Sequence, residues 1–243
     1  MKKILISGGS GKLAKCIINN ISIKYKIIAP FKNEMNVINK DQIEEYIIKY
    51  KPDYFIHAAA LTRPMIRHDN NSDISILTNI IGTSNVVLLC IKYNIKLIYI
   101  STDYVYPGDK GNYKEMDDLL PFNKYGWSKL GGECAVKLYD NSLILRCCIC
   151  DKPFPHEYAF VDVKKSYLYN NEVAKTILKL LDEIGTINVG GESQSVYDFV
   201  KKTNKNIKKI SIKNINEFIA KDTSMNINKL ETILSNLIIK KYD

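Results

Sequence analysis

The segment KILISGGSGKLA, residues 3–14, decides the fold. Its first five residues form a short apolar run, typical of a buried parallel strand. The glycine turn that follows leads into an apolar helix that extends to about Ile21. A strand, a glycine-rich turn and a helix in this order are the context that a dinucleotide-binding fingerprint requires.

The glycine turn has the spacing GxxGxxA, formed by Gly8, Gly11 and Ala14. Gly8 and Gly11 allow the backbone to turn tightly and to approach a pyrophosphate, and Ala14 allows the helix to pack closely on the strand. The helix N-terminus offers free N–H groups and a positive dipole. The spacing therefore predicts a phosphate-binding turn.

Further strands and helices alternate along the chain. The sequence predicts strands at residues 26–29, 97–100 and 143–148, one strand in YFIHAAA (54–60), and helices at 39–50 and 73–93. This alternation predicts an α/β protein with a Rossmann-type, doubly wound parallel sheet. We expect residues 1–150 to form the NAD(P)-binding domain and residues 151–243 to be mostly substrate-binding, without a clean linker.

A second informative stretch runs from Ile98 to Glu133 and contains ISTDYVYPG and YGWSK. The strand ends in Ser101 and Thr102, and the carboxyl end of a parallel strand is where this fold places its chemistry. Tyr125 and Lys129 stand at i and i+4 on the next helix, so they share a face. We expect the ammonium to lower the pKa of the phenol from about 10 and to make proton transfer feasible.

Composition limits the classes of partner. The chain has 243 residues, with 46% hydrophobic and 25% charged residues and a net charge of +9. We expect the positive charge to serve an anionic small substrate and not a nucleic acid. No apolar run reaches transmembrane length, and MKKILISGG is not a signal peptide, so we expect a cytoplasmic protein with no membrane association.

The cysteines predict no metal site. Cys147 and Cys150 form a CxxC spacing, but they lie in LILRCCIC, which is typical of a buried strand. Zinc would require a second pair of ligands nearby, and the sequence offers none. We interpret the six cysteines as reduced core thiols.

Two features concern the dinucleotide itself. The acidic residue usual after the second strand for NAD selectivity is missing, and Lys32 is available there. A cation at this position favours the 2′-phosphate, so NADPH is the expected cofactor and NADH the alternative. The small residues Ala58, Ala59 and Ala60 would let a flat cofactor lie close to the backbone.

With these motifs in this order, the chain resembles the extended short-chain dehydrogenase/reductase superfamily. It is most similar to the nucleotide-sugar reductases typified by dTDP-4-dehydrorhamnose reductase, over nearly its whole length. The resemblance implies NAD(P)H-dependent reduction of the 4-keto group of a nucleotide-diphospho-4-keto-6-deoxyhexose in rhamnose-type biosynthesis. UDP- and dTDP-linked substrates, with or without an N-acetyl group, stay open.

The resemblance also implies roles for individual residues. Tyr125 looks like the catalytic acid, Lys129 like the lysine that holds the nicotinamide ribose, and Thr102 like the hydroxyl that binds the substrate carbonyl. Ser101 and Asp103 would lie beside the substrate, and we select Arg63 for a substrate-specific contact. The cofactor would be contacted at the pyrophosphate turn, near the adenine and along the third strand by Gly8, Gly11, Lys12, Leu13, Asn36, Val37, Ala58, Ala59 and Ala60.

Alternatives and departures accompany the resemblance. A same-fold epimerase or dehydratase would recycle its cofactor internally, although Tyr104 after Asp103 disfavours a dehydratase. A non-catalytic regulatory subunit is the other alternative, and a homodimer is compatible with either. The region 150–160 is short for this group, which predicts a more open site or one completed by Phe154, His156 and Phe160.

Overall fold

A six-stranded parallel sheet organises the structure, a computed structural model that describes residues 1–216 and 218–239. In the described chain the strands are β1 Lys2–Ser7, β2 Tyr25–Ile28, β3 Tyr54–His57, β4 Lys96–Thr102, β5 Ser142–Cys147, β6 Ile149–Cys150, β7 Tyr158–Phe160, β8 Lys164–Lys165, β9 Leu168–Tyr169, β10 Gly185–Val189, β11 Gln194–Ser195 and β12 Lys208–Ile210. The strand order in the main sheet is β10-β5-β4-β3-β1-β2, and every neighbouring pair is parallel. The predicted Rossmann-type sheet is confirmed.

Helices cover both faces of this sheet. They are α1 Lys12–Asn20, α2 Lys40–Tyr50, α3 Ile66–Asn70, α4 Ser72–Ser75, α5 Gly82–Tyr93, α6 Lys124–Val136, α7 Asn170–Lys179, α8 Val196–Lys201 and α9 Asn228–Ile239. One apolar cluster packs under α1 and α7, and a second packs under α2 and α5. Burial on both faces explains why β4 and β5 are continuous buried runs without polar alternation.

The helical stretch from Ser72 to Tyr93 corrects one expectation. α4, a π-helical segment Ile76–Ile81 and α5 follow one another without a break, and together they are long and apolar enough, by length and composition, to cross a membrane. The prediction that no apolar run reaches this length is therefore wrong for this helix. Half of its most apolar window is buried in the interior, because Val86, Leu89 and Cys90 pack in the core of the sheet.

The part of the chain after residue 150 adds elements to the main sheet and its helices, and it also forms small sheets of its own. β10 is the edge strand of the main sheet beside β5, and α7 packs on α1. Other segments of this part pair with each other, β7 with β12 and β8 with β11, around a small separate apolar cluster. The two predicted parts of the chain therefore interleave, and the boundary at residue 150 stays a prediction.

The strand order determines where a ligand can bind. The connections run one way from β1 to β2 and the other way from β3 through β5, so the order reverses between β1 and β3. Open α/β sheets bind ligands in the crevice outside the carboxyl ends of the strands at such a reversal. β1 ends there at Ser7 and β3 at His57.

Candidate active site

A cavity of about 420 Å³ opens at this reversal. Its volume lies within the range of small-molecule and cofactor sites, about 300–1,000 Å³. It is lined by residues that follow β1, β3, β4 and β5 and by the first turns of α1 and α6, among them Gly8, Gly11, Lys12, Leu13, Ala58, Ala60, Arg63, Ser101, Thr102, Asp103, Tyr125, Lys129 and Asp151. Most of the predicted site residues are thus brought together.

The glycine turn forms one end of the cavity. Gly8 has φ +74°, and a Cβ on it would lie 2.9 Å from the Cα of Ala59, so only glycine fits. Gly11 is the N-cap of α1 and provides no side-chain cap, so the first N–H groups of the helix are free to bind a ligand. These features, with Lys12 on the first helical turn, fit the diphosphate of a dinucleotide.

A buried hydrogen-bond chain joins the carboxyl ends of β1 and β3. Ser7 Oγ lies 2.7 Å from His57 Nδ1, and His57 Nε2 lies 3.0 Å from the Thr83 hydroxyl. Burial, and secondarily the charge of Lys129, lowers the pKa of His57 to about 3, so the ring is neutral. The backbone N–H of Ala59 donates to Ser7 Oγ, and this contact fixes the end of β3 beside the glycine turn.

Thr102, Tyr125 and Lys129 lie on one wall. The side chain of Asn123 accepts from the N–H of Gly126 and begins α6, which puts Tyr125 in its first turn and Lys129 one turn later. A Cβ on Gly126 would lie 2.4 Å from the carbonyl oxygen of Tyr104. Glycine at this position therefore lets the helix approach the loop that follows Thr102.

The pKa values on this wall correct one prediction. Burial raises the pKa of the half-buried Tyr125 above its ordinary value, the nearby Thr102 hydroxyl opposes this, and the charge of Asp103 adds to it. Our expectation that Lys129 lowers the pKa of this phenol is wrong. Loss of water on burial outweighs the opposing Thr102 hydrogen bond and Arg63 charge, and Lys129 is not among the groups that shift this pKa. Burial lowers the pKa of Lys129 to about 7, with Glu133 opposing the change.

Asp103 at the far end of the wall is held by the C-terminal part of the chain. Its Oδ2 accepts from Lys165 Nζ at 2.9 Å and from the Thr223 hydroxyl at 2.6 Å. All three side chains are buried, and the Lys165 ammonium also lies 4.2 Å from the centroid of the Tyr104 ring. Burial alone would lower the pKa of Lys165, but the charges of Asp103 and Tyr104 raise it.

A second buried network supports Ser101. The Ser101 hydroxyl donates to Glu133, and Arg146 binds the same carboxylate with its NH2 nitrogen at 2.9 Å. Arg146 NH1 also donates to the Tyr106 hydroxyl at 2.9 Å, and Tyr106 donates to Asn188 at 2.7 Å. This buried network therefore fixes Ser101, and the hydrogen of its hydroxyl is already donated to Glu133.

Arg63 and Lys12 stand on the rim of the cavity with Asp151 between them. Lys12 Nζ lies 2.8 Å and an Arg63 guanidinium nitrogen 3.6 Å from the same oxygen of Asp151. The amide of Asn170 donates to the other oxygen at 3.1 Å. Although burial acts against it, hydrogen bonding and charge from Lys12, with Asn170 and Arg63, keep the pKa of Asp151 below its ordinary value.

Other predicted residues lie away from the cavity lining. Ala59 packs behind Gly8, and Val37 is buried against Gly82. Asn36 accepts from the backbone of Ile38, and Lys32 is exposed after β2. Phe154, His156 and Phe160, which could have completed the site, are not among the described residues that line the cavity.

Several side chains at the site escaped the sequence analysis. Asp151, Tyr104 and Tyr167 line the cavity, and Lys165 and Glu133 bind residues of its wall. Glu133 stands four residues after Lys129, so helical spacing could have indicated it. Lys165 had no such signal, because only the tertiary fold brings it to Asp103.

The sheet, the glycine turn and the Thr102, Tyr125 and Lys129 wall define a Rossmann-type nucleotide-binding protein. The chain belongs to the family described as RmlD substrate binding domain, which matches residues 1–189 and whose relatives include reductases of the extended short-chain dehydrogenase/reductase superfamily. The predicted family resemblance is confirmed.

The curated relatives include a reductase, a subunit of another enzyme and a spore coat polysaccharide biosynthesis protein. The chain is 31% identical over 207 residues to dTDP-4-dehydrorhamnose reductase of Aggregatibacter actinomycetemcomitans, with 80% of this chain and 64% of the relative covered. It is 29% identical over 143 residues to methionine adenosyltransferase 2 subunit beta of Bos taurus, with 56% of this chain and 42% of the relative covered. The chain thus spans less than two thirds of the length of these curated relatives.

Solved structures resemble nearly the whole chain. A crystal structure of dTDP-4-dehydrorhamnose reductase from Bacillus anthracis in complex with NADP has a TM-score of 0.85 and 26% identity, covering 99% of this chain and 100% of that chain. A hypothetical dTDP-4-dehydrorhamnose reductase from Sulfolobus tokodaii has a TM-score of 0.84 and 28% identity, covering 97% and 95%.

Proposed function

We propose that this protein is an NADPH-dependent reductase of the 4-keto group of a nucleotide-diphospho-4-keto-6-deoxyhexose. One observation carries the proposal: Thr102, Tyr125 and Lys129 share one wall of a cavity that ends at an uncapped glycine turn. A proton donor and a candidate diphosphate site within one crevice are what a dinucleotide-dependent ketone reduction needs.

The residues of the wall have separate roles in this reaction. A bound nicotinamide coenzyme would supply the hydride. Tyr125 is protonated at neutral pH, so it can donate this proton to the carbonyl oxygen of the substrate. Thr102 can donate a hydrogen bond to the same oxygen and stabilise the developing alkoxide. Lys129, with a pKa of about 7, can stabilise the phenolate and return a proton near neutral pH.

The glycine turn would hold the cofactor. Gly8, Gly11, Lys12 and Leu13 would contact the diphosphate, and Ala58 and Ala60 would lie against the cofactor along β3. The B. anthracis relative was crystallised with NADP, which supports NADPH over NADH. Lys32, Asn36, Val37 and Ala59 remain proposed contacts toward the adenosine end, and Ser101, Asp103 and Arg63 toward the sugar nucleotide.

A direct assay tests the reaction. Purified protein is incubated with NADPH or NADH and a panel of UDP- and dTDP-linked 4-keto-6-deoxyhexoses, and cofactor oxidation and the sugar product are followed. We expect stoichiometric oxidation of NADPH with one member of the panel. Absence of oxidation and of NADPH binding would contradict the proposal, and a product formed without net NADPH consumption would favour an epimerase.

A regulatory subunit is the second candidate. The similarity to methionine adenosyltransferase 2 subunit beta favours it, since that relative is named as a subunit of another enzyme. The intact Thr102, Tyr125 and Lys129 wall argues for catalysis instead. Purification from the native host distinguishes the two. A partner enzyme that copurifies in stoichiometric amount, together with no reductase activity, would support the regulatory subunit.

A homodimer in a reducing compartment completes the proposal. The neighbouring helices α5 and α6 expose Leu88, Ile91 and Trp127, which are 52%, 47% and 51% exposed. All six cysteines are free thiols, which accords with a cytoplasmic location. Sedimentation should give twice the chain mass, and Leu88→Glu should shift the protein to monomer; a wild-type monomer would contradict the dimer.

A further inference from the structure

Two cationic side chains at the rim of the cavity, Lys12 and Arg63, form ion pairs with a residue of the protein itself. Lys12 belongs to the first turn of α1, beside the free N–H groups of the glycine turn. Arg63 lies in the loop after β3, on the opposite side of the reversal. Both lie within ion-pair distance of one carboxylate oxygen of Asp151, and all three residues line the same cavity.

Asp151 is itself held in place. Its side chain is only 20% exposed, whereas Lys12 and Arg63 are 74% and 51% exposed, so the carboxylate is the less mobile partner of each pair. The amide of Asn170 binds its second oxygen at 3.1 Å. The other cavity-lining carboxylate, Asp103, is neutralised by Lys165 within the wall, whereas Asp151 faces the phosphate-binding end.

We propose that Asp151 is an internal anion that competes with a bound diphosphate for Lys12 and Arg63 and thereby sets the affinity of the site. The inference rests on the proposed function, because it assumes that a diphosphate enters at the glycine turn. A diphosphate at this place lies close to a carboxylate of the same sign, and juxtaposed like charges oppose binding. Binding therefore requires Lys12 and Arg63 to exchange Asp151 for phosphate oxygens.

The consequence is unusual for an ion pair at a ligand site: removal of the acidic residue should strengthen binding. Asp151→Asn keeps the shape of the side chain and a hydrogen-bonding oxygen, and it releases both cations. We expect the dissociation constant for NADPH, measured by fluorescence titration, to fall about three- to tenfold. In a Lys12→Gln background the same substitution should give a smaller gain, since one of the two cations is gone.

A matched control removes the effect of net charge. Asp182→Asn changes the charge by the same amount at the amino ends of the strands, where Asp182 pairs with Lys2 at 3.8 Å, and not at the carboxyl ends where the cavity opens. It should leave NADPH affinity unchanged. Thermal melting of each variant verifies that it is folded, and Asp151→Ser provides a second substitution if Asp151→Asn is not.

The two sources of a diphosphate are separated by parallel titrations with NADPH and with dTDP or UDP. A gain confined to NADPH assigns Asp151 to the cofactor diphosphate, and a gain confined to the nucleoside diphosphate assigns it to the sugar nucleotide. Wild-type protein that binds NADPH, with Asp151→Asn gaining affinity neither for NADPH nor for dTDP or UDP, would overturn the inference alone. Wild-type protein that binds neither NADPH nor NADH would overturn the proposed function and the inference with it.

Discussion

Two buried lysines support the same cavity wall: Lys129 lines it, and Lys165 binds its residue Asp103. Lys129 and Lys165 are 2% and 5% exposed, and each ammonium lies over an aromatic ring, 4.1 Å from the Tyr99 centroid and 4.2 Å from the Tyr104 centroid. Their pKa values nevertheless move in opposite directions. The pKa of Lys129 falls to about 7, and that of Lys165 rises.

The difference lies in their partners. Lys165 has Asp103 at 2.9 Å and Thr223 at 2.6 Å, so the charged form is stabilised. The anion nearest in sequence to Lys129 is Glu133, whose carboxylate is bound by Arg146 and Ser101. Although both lysines are buried, Lys165 stays charged because the carboxylate of Asp103 is close to it. Lys129 can lose its proton near neutral pH because the carboxylate of Glu133 is already bound by other residues. Only Lys129 can exchange a proton near neutral pH.

The largest effect is expected for the phenol on this wall. Tyr125→Phe removes the proposed acid and should lower turnover by ~10²–10⁴-fold, with NADPH binding retained. NADPH oxidation and NADPH fluorescence measure the two quantities separately. Tyr158→Phe, on a 45% exposed tyrosine outside the cavity lining, is the control. Undiminished turnover in Tyr125→Phe would exclude the mechanism.

Lys165→Met tests the buried ion pair with Asp103. It leaves the buried carboxylate of Asp103 without its charged partner, and removal of one member of a buried pair costs about 3–5 kcal/mol of unfolding free energy. Chemical denaturation measures this loss, and the double variant Lys165→Met with Asp103→Asn should recover most of it.

A surface pair provides the comparison for that experiment. Lys208→Met breaks the exposed pair with Glu157 and should give no measurable loss. If Lys165→Met were as stable as Lys208→Met, the pair with Asp103 would have no structural role.

Lys129 should make stability depend on pH. In the unfolded chain a lysine keeps its proton up to about pH 10.4, whereas in the folded protein the pKa of Lys129 is about 7. The unfolded state therefore binds more protons between these values, and the free energy of unfolding rises with pH, by about 2 kcal/mol from about pH 7 to 9.

Denaturation in a pH series checks this slope. Lys129→Met should remove it, and a Lys129→Met profile as steep as that of wild type would assign the slope to other groups. The range begins near pH 7 because His57, with a folded pKa of about 3, adds its own slope below about pH 6.5.

An exposed lysine gives the smallest effect. Lys32 follows β2 at the surface, where charge is screened by salt. Lys32→Ala should reduce the preference for NADPH over NADH by less than about tenfold, measured as the ratio of the two dissociation constants. An unchanged ratio would remove Lys32 from the cofactor site.

Local sequence was enough to predict those features of the candidate site that depend on residues close together in the chain. The i and i+4 pair of Tyr125 and Lys129 and the turn at Gly8 are each set within a few residues, and all three residues line the cavity. The prediction that failed on this wall was the pKa of Tyr125. Its direction depends on the amount of water removed by neighbouring elements, which spacing along one helix does not contain.

The sequence by itself determined the parallel sheet, the glycine turn and the residues Thr102, Tyr125 and Lys129 of the cavity wall, because apolar periodicity and glycine placement act over short distances. Only the tertiary structure decided which charges meet. Asp103 binds Lys165, which is 62 residues away, and Asp151 binds Lys12, which is 139 residues away. Electrostatic energy depends on distance in space and on burial, so these pairs exist only after the elements have packed.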